Sequence, residues 1–252
     1  MTINFTQIFQ DSWNFVRNQR QIAISFMAAF FILALATQFI LSQMAPAIME
    51  NLQTAPINND LPPEAMSVFS TMLHPNVLTI SLINQIISSL LSTWGIITLH
   101  HITQHRFRSL SDSFSQALRY FIGVLALNVL ITIPLAYGLI VLLTGSILGL
   151  VVAIIGIYLF LRLCLAPLAY IIGQKSFTQS LKFVWQQSSG RISILLIYCL
   201  INYLLVSMLS NQLAAFNNNL IIQIITTAIS SFISVFALVF SYRFYHLFIQ
   251  TP

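Results

Sequence analysis

Charge is what this chain has least of. Asp and Glu number five and Lys and Arg ten in 252 residues, 6% of the whole, whereas soluble domains carry about 25%. That shortage excludes an ordinary soluble domain, and it leaves no row of acidic residues for coupling to a cation. Cysteine is scarcer still: Cys164 and Cys199 sit in apolar runs and match neither a metal-ligand spacing nor a disulfide framework. A Ser/His/Asp arrangement, a His/Glu metal motif and a phosphate-binding glycine loop are all missing, so the sequence carries no catalytic signature and calls for no cofactor. The formal charge of +5 is spread in ones to threes beside apolar runs. Without a basic domain, nucleic acid is not an expected partner, and anionic lipid headgroups are.

Apolar sequence fills the rest. Hydrophobic residues make up 58% of the chain and the mean hydropathy is +0.87. Runs at 21–43, 77–99, 120–143, 146–166, 192–210 and 220–240 are each close to or above the roughly 20 residues that cross hydrocarbon as a helix. The expected fold is all-α: a polytopic membrane bundle of six transmembrane helices forming one integral membrane domain over 1–252. Ala34-Leu35-Ala36 superficially resembles a leader cleavage site, but the apolar run continues through Phe39 to Leu41, so the first run is expected to remain as a span.

A shared template precedes three of the spans. Phe177, Leu181, Val184 and Trp185 fall on one helical face, with Thr178, Gln179, Lys182 and Gln186 opposite. Phe5, Gln7, Phe9 and Trp13 repeat the offsets, as do Phe114, Gln116, Leu118 and Ile122. Three amphipathic interfacial helices, each ahead of a transmembrane hairpin, are therefore expected. Possible repeat units open at 1–76, 109–145 and 174–218. The membrane-interface set is Phe5, Phe9, Trp13, Phe114, Leu118, Arg119, Phe177, Leu181, Lys182 and Trp185. Ser109 and Asp112 form a capping-box pattern at the start of the middle copy.

Polar residues inside the spans mark a second candidate set. Asn84 and Gln85 lie in span two with Ser88, Ser89, Ser92 and Gly95, and such residues belong on the side facing other helices. Gly145, Gly149 and Ala153 form a small-residue ladder suited to close packing. Arg162 is the one cation within an apolar run. It either snorkels to the headgroups, if span four ends near Pro167, or is a deeper polar site that needs a partner, if the span continues to Ile172. His101 and His105 would share a helical face, but no Cys or Glu accompanies them and Asp112 is the nearby carboxylate. The cluster therefore reads as interfacial rather than as a metal site.

Sidedness follows from the basic residues. Arg17 and Arg20, then Arg106, Arg108 and Arg119, then Arg162, Lys175, Lys182 and Arg191, then Arg243 alternate with loops that contain none. The loop over 44–76 carries Glu50, Asp60 and Glu64 and five prolines, and is expected to be external and irregular, with a short helix possible from Glu64 to Leu73. Both termini are then cytoplasmic.

Asp11-Ser-Trp-Asn-Phe-Val-Arg-Asn-Gln19, Leu165-Ala-Pro-Leu with Ser180-Leu-Lys-Phe-Val-Trp185, and Tyr242-Arg-Phe-Tyr-His-Leu together resemble the YciC family of uncharacterised bacterial inner-membrane proteins. The resemblance runs the full length and implies a Gram-negative cell inner membrane, but no activity and no catalytic residues. Pro167 to Arg191 is more faintly similar to the membrane domain attached to some glycerophosphodiester phosphodiesterases. The expected function is a non-enzymatic one, engaging membrane lipids or an unknown protein partner in envelope homeostasis. The alternative is a transporter or channel for a small or amphiphilic molecule, with Asn84, Gln85, Asn128, Arg162, Asn202 and Gln223 along a polar path.

Overall fold

In hydrocarbon the backbone has no water to bond, so each spanning segment must satisfy its own N–H and C=O groups, and helices do this locally. The computed structural model describes residues 3–53, 75–105, 109–143, 147–215 and 219–250, and every element in them is helical. These are α1 (Phe5–Asn18), α2 (Arg20–Gln53), α3 (Pro75–Thr103), α4 (Leu110–Leu143), α5 (Ile147–Leu163), α6 (Ala166–Ile172), α7 (Phe177–Gln187), α8 (Ile192–Cys199), a π-helical segment (Leu200–Leu205), α9 (Val206–Ala215) and α10 (Leu220–Gln250). Six stretches are long and apolar enough to cross a membrane: Arg20–Gln43, Pro75–Thr103, Leu110–Leu142, Ile147–Ile172, Ile192–Leu213 and Leu220–Gln250. Each overlaps one of the six expected runs.

The spans pack in a closed circuit. α2 lies on α3, α3 on α4, α4 on α5, α5 on α8, α9 on α10, and α10 returns to α2. The closest approach is in the α4–α5 hairpin, where a Cβ added at Gly138, Gly149 or Gly156 would run into the partner helix's backbone. Gly149 and Ala153 of the small-residue ladder are thus used within the bundle, while Gly145 lies outside the described residues. Polar side chains join other neighbours: Gln223 Nε2 donates to Gln38 Oε1 at 3.0 Å, and Thr37 Oγ1 to Asn84 Oδ1 at 3.3 Å. In lipid such bonds contribute about 0.6 kcal/mol each.

The core is concentrated at the end that carries α1 and α7. Leu165, Leu195, Tyr198, Tyr242, Phe244 and Phe248 are fully buried there, and the Tyr198 and Phe244 rings stack at 4.3 Å. Apolar side chains towards the opposite end, such as Ile147, Leu148 and Ile221, face outwards, which suits a surface bathed in lipid.

Three local readings need correction. Residues 109–122 do not form a separate helix: Ser109 caps the Asp112 N–H at 3.1 Å, and α4 then runs unbroken from Leu110 to Leu143. Gly123, directly after Ile122, does not interrupt the helix, and a helix of that length reaches about 50 Å, well past the hydrocarbon. Helix α2 continues through Pro46 to Gln53, so the loop expected to be irregular from 44 begins as helix. Span four is interrupted after Leu163, because Pro167 has no N–H with which to continue the ladder, and α6 restarts at Ala166 with proline in its first turn. The segment Glu64–Leu73, Arg106, Arg108 and the hairpin at 144–146 lie outside the described residues.

Candidate functional site

Helix α1 is a strap along α10. Asn4 caps it by accepting from the Thr6 and Gln7 N–H groups, and Ile8, Ser12 and Val16 are buried beneath it. Its rings meet those of α10 in steps: Phe5 with Phe244 at 5.8 Å, Phe9 with Phe236 at 4.8 Å, and Trp13 with Phe232 at 6.1 Å. Phe9 and Trp13 nonetheless keep 54% and 48% of their surface exposed. Beside Trp13 lies an apolar groove of about 220 Å³, lined by Val16, Ala23, Ile24, Met27 and Phe232, with Arg17 and Arg20 also on its wall.

Helix α7 begins with a capping box. Ser176 Oγ accepts from the Gln179 N–H, and Gln179 Oε1 accepts from the Ser176 N–H at 3.2 Å. The Ser-x-x-Gln spacing was there to be read beside the Phe177 stripe. Ser180 and Val184 are buried, Phe177 and Leu181 half-buried, and Lys182 exposed. A tight turn at Gly190, whose φ of +77° disfavours any side chain, leads into α8.

Arg162 is buried and partnered, as the deeper of the two alternatives requires. Only 8% exposed, it does not reach outwards to headgroups. Its Nε donates to Ser188 Oγ at 3.0 Å, one terminal nitrogen to Tyr158 Oη at 3.1 Å, and the other to the Trp185 carbonyl at 2.8 Å. The guanidinium also lies 3.9 Å from the centre of the Trp185 ring. Arg162 therefore clamps α7 onto α5.

In the middle copy, Phe114 packs edge-on to Trp94 at 5.4 Å, and Trp94 Nε1 donates to the Leu110 carbonyl at 3.1 Å. Leu118 and Arg119 are exposed on α4. His101 Nδ1 pairs with Ser113 Oγ at 3.2 Å, and no group of three metal-ligating side chains is found among the described residues.

The six spans enclose a cavity of about 450 Å³ to which every one of them contributes. Gln85 lines it, whereas Asn84, about 100° further round α3, bonds α2 instead. Arg162 is not among its lining residues. The structure thus separates the three residues of the intramembrane set. Ser88, Ser89 and Ser92, expected on the helix-facing side of span two, do face this space, as do Asn128 and Asn202. Tyr198, Ser234 and Ser241 were missed, because single hydroxyls in apolar runs give no signal until the spans are brought together.

These features define an all-helical, multi-pass membrane protein with a partly polar space among its spans. Over 257 residues the chain is 34% identical to an uncharacterized protein of Haemophilus influenzae, with 99% of this chain and 100% of that protein covered. It belongs to that uncharacterised bacterial family. No protein-family model and no solved structure matches it.

Proposed function

We propose that this chain is a non-enzymatic inner-membrane protein of the YciC type whose α1 and α7 engage anionic lipid at the cytoplasmic leaflet, in support of envelope homeostasis. One juxtaposition carries the reading: exposed Trp13 beside exposed Arg17 and Arg20 on a single apolar groove. A groove of that kind takes an acyl chain, while two guanidinium groups at its wall suit a phosphate. Lys182 and half-exposed Trp185 offer the same pairing on α7, and each basic residue near an anionic surface contributes about 1 kcal/mol. A transporter or channel is less well supported, since the central lining ends at buried groups such as Leu168 and Ser241.

Fluorescence quenching in bilayers tests this directly, because Trp13 and Trp185 lie on the proposed surfaces. Brominated phosphatidylglycerol is expected to quench more strongly than brominated phosphatidylcholine at equal mole fraction, and the difference is expected to shrink in the Arg17→Gln, Arg20→Gln double variant. Equal quenching by the two lipids in the parent protein would reject the proposal.

A further inference from the structure

We propose that the central cavity is a binding site for an uncharged amphiphile whose head carries hydroxyl groups. Three observations converge on that class of ligand.

The first is charge. Among the described residues no Asp, Glu, Lys, Arg or His lines the cavity, so an ionic head would be stripped of water with nothing of opposite sign to meet it.

The second is the direction of the hydrogen bonds already made. Thr93 donates its hydroxyl proton to the Ser89 carbonyl at 2.7 Å, Thr132 to the Asn128 carbonyl at 2.7 Å, Ser234 to the Ser230 carbonyl at 2.9 Å, and Ser241 to the Ala237 carbonyl at 2.8 Å. Tyr198 donates in turn to Ser241 Oγ at 3.0 Å, and Asn202 Nδ2 to Tyr198 Oη at 3.4 Å. With their protons committed to the protein, these five hydroxyls keep only acceptor capacity towards the cavity, while the amides of Gln85, Asn128 and Asn202 keep donors. Asn202 Oδ1 is buried with no partner among the described residues, a state that costs free energy unless a donor arrives. A ligand that complements such a wall must donate, and a neutral hydroxyl does so without the desolvation cost of an ammonium group.

The third is shape. The lining passes from buried Ile96, Val124 and Leu168 at the α1 end to exposed Gln85, Thr132 and Tyr203 further along the spans. Among the described residues the cavity is bounded by buried side chains at one end and by exposed ones at the other, and its volume lies in the range of small-molecule sites. Asn202 stands in the π-helical segment, a distortion found frequently at functional positions. This site shares no lining residue with the Arg17 groove, so either proposal can fail without the other.

Photolabelling of the full chain in lipid nanodiscs tests the site. A diazirine-bearing monoacylglycerol is the probe, and lysophosphatidic acid with the same labelled chain is the charged comparison. The monoacylglycerol is expected to label the peptides holding Ser88–Ile96 and Ser234–Ser241, and excess unlabelled monoacylglycerol to remove that label. Lysophosphatidic acid is expected to label the same peptides about tenfold less, as a site that cannot pair a charge discriminates against it. Asn202→Leu is expected to lower labelling about tenfold by removing an acceptor, and Ser89→Leu with Ser234→Leu to abolish it by filling the space. Both variants are checked by thermal melting against the parent. Labelling confined to outward residues such as Ile154 and Ile225, equal labelling of the cavity peptides by both probes, or undiminished labelling in a variant that melts like the parent would overturn the site.

Discussion

The guanidinium of Arg162 lies 3.9 Å from the centre of the Trp185 ring while one of its nitrogens donates to the Trp185 backbone carbonyl at 2.8 Å. One residue near the end of α5 thus holds both the ring and the chain of α7, and Ser188 Oγ completes the grip at 3.0 Å.

Removing that grip is expected to loosen α7. Arg162→Met retains the apolar stem but deserts three acceptors, and losing a partner in a buried place costs about 1–3 kcal/mol. Arg162→Lys keeps the charge without the planar fork, so its loss should be smaller but not zero. Unfolding in mixed micelles measures the order, parent above Lys above Met. A Met variant as stable as the parent would show that Arg162 is not a clamp.

The α4–α5 contact makes a steric prediction. Gly149→Leu places a side chain against the backbone at Val141 and Leu142, and overpacking of this kind typically costs about 1–3 kcal/mol. A large drop in melting temperature is expected, whereas Ile154→Leu, on the outward face of the same helix, should leave it unchanged. Equal effects at the two positions would count against the helix pairing.

Glutamine 38 bridges α2 to α10 through Thr227 and Gln223. Gln38→Leu should cost only about 0.6 kcal/mol per lost bond, the usual value between helices in lipid. Adding Gln223→Leu should then cost less than it does alone, since the shared bond is already gone. Additive losses would separate the two residues.

Threading is testable by chemical labelling. The two native cysteines are buried, so single Cys substitutions at exposed Gln10, Gln104, Thr178 and Asn219 can be read with a membrane-impermeant maleimide. The first three should react only after the membrane is opened from the cytoplasmic side, and Asn219→Cys should react in intact spheroplasts. The reverse pattern would invert the proposed orientation.

Much of the helical layout was legible before folding, though not evenly. Six apolar runs gave six spans, because run length alone decides whether a helix can cross hydrocarbon. The Phe5–Trp13 and Phe177–Trp185 stripes gave separate helices α1 and α7. Phe114–Ile122, on the same template, fused into α4, since a stripe says which face is apolar and nothing about where the helix stops.

Partners were beyond the reach of the chain read in order. Composition determined by itself that this protein crosses a membrane, where its spans fall, and that its basic residues alternate with uncharged or acidic loops. Folding decided that Arg162 grips Trp185, that Asn84 and Gln85 part company, and that hydroxyls from separate spans wall one cavity. Hydropathy is summed along one helix, but a hydrogen bond or a cavity exists only between helices, and which helices meet is settled by packing in three dimensions.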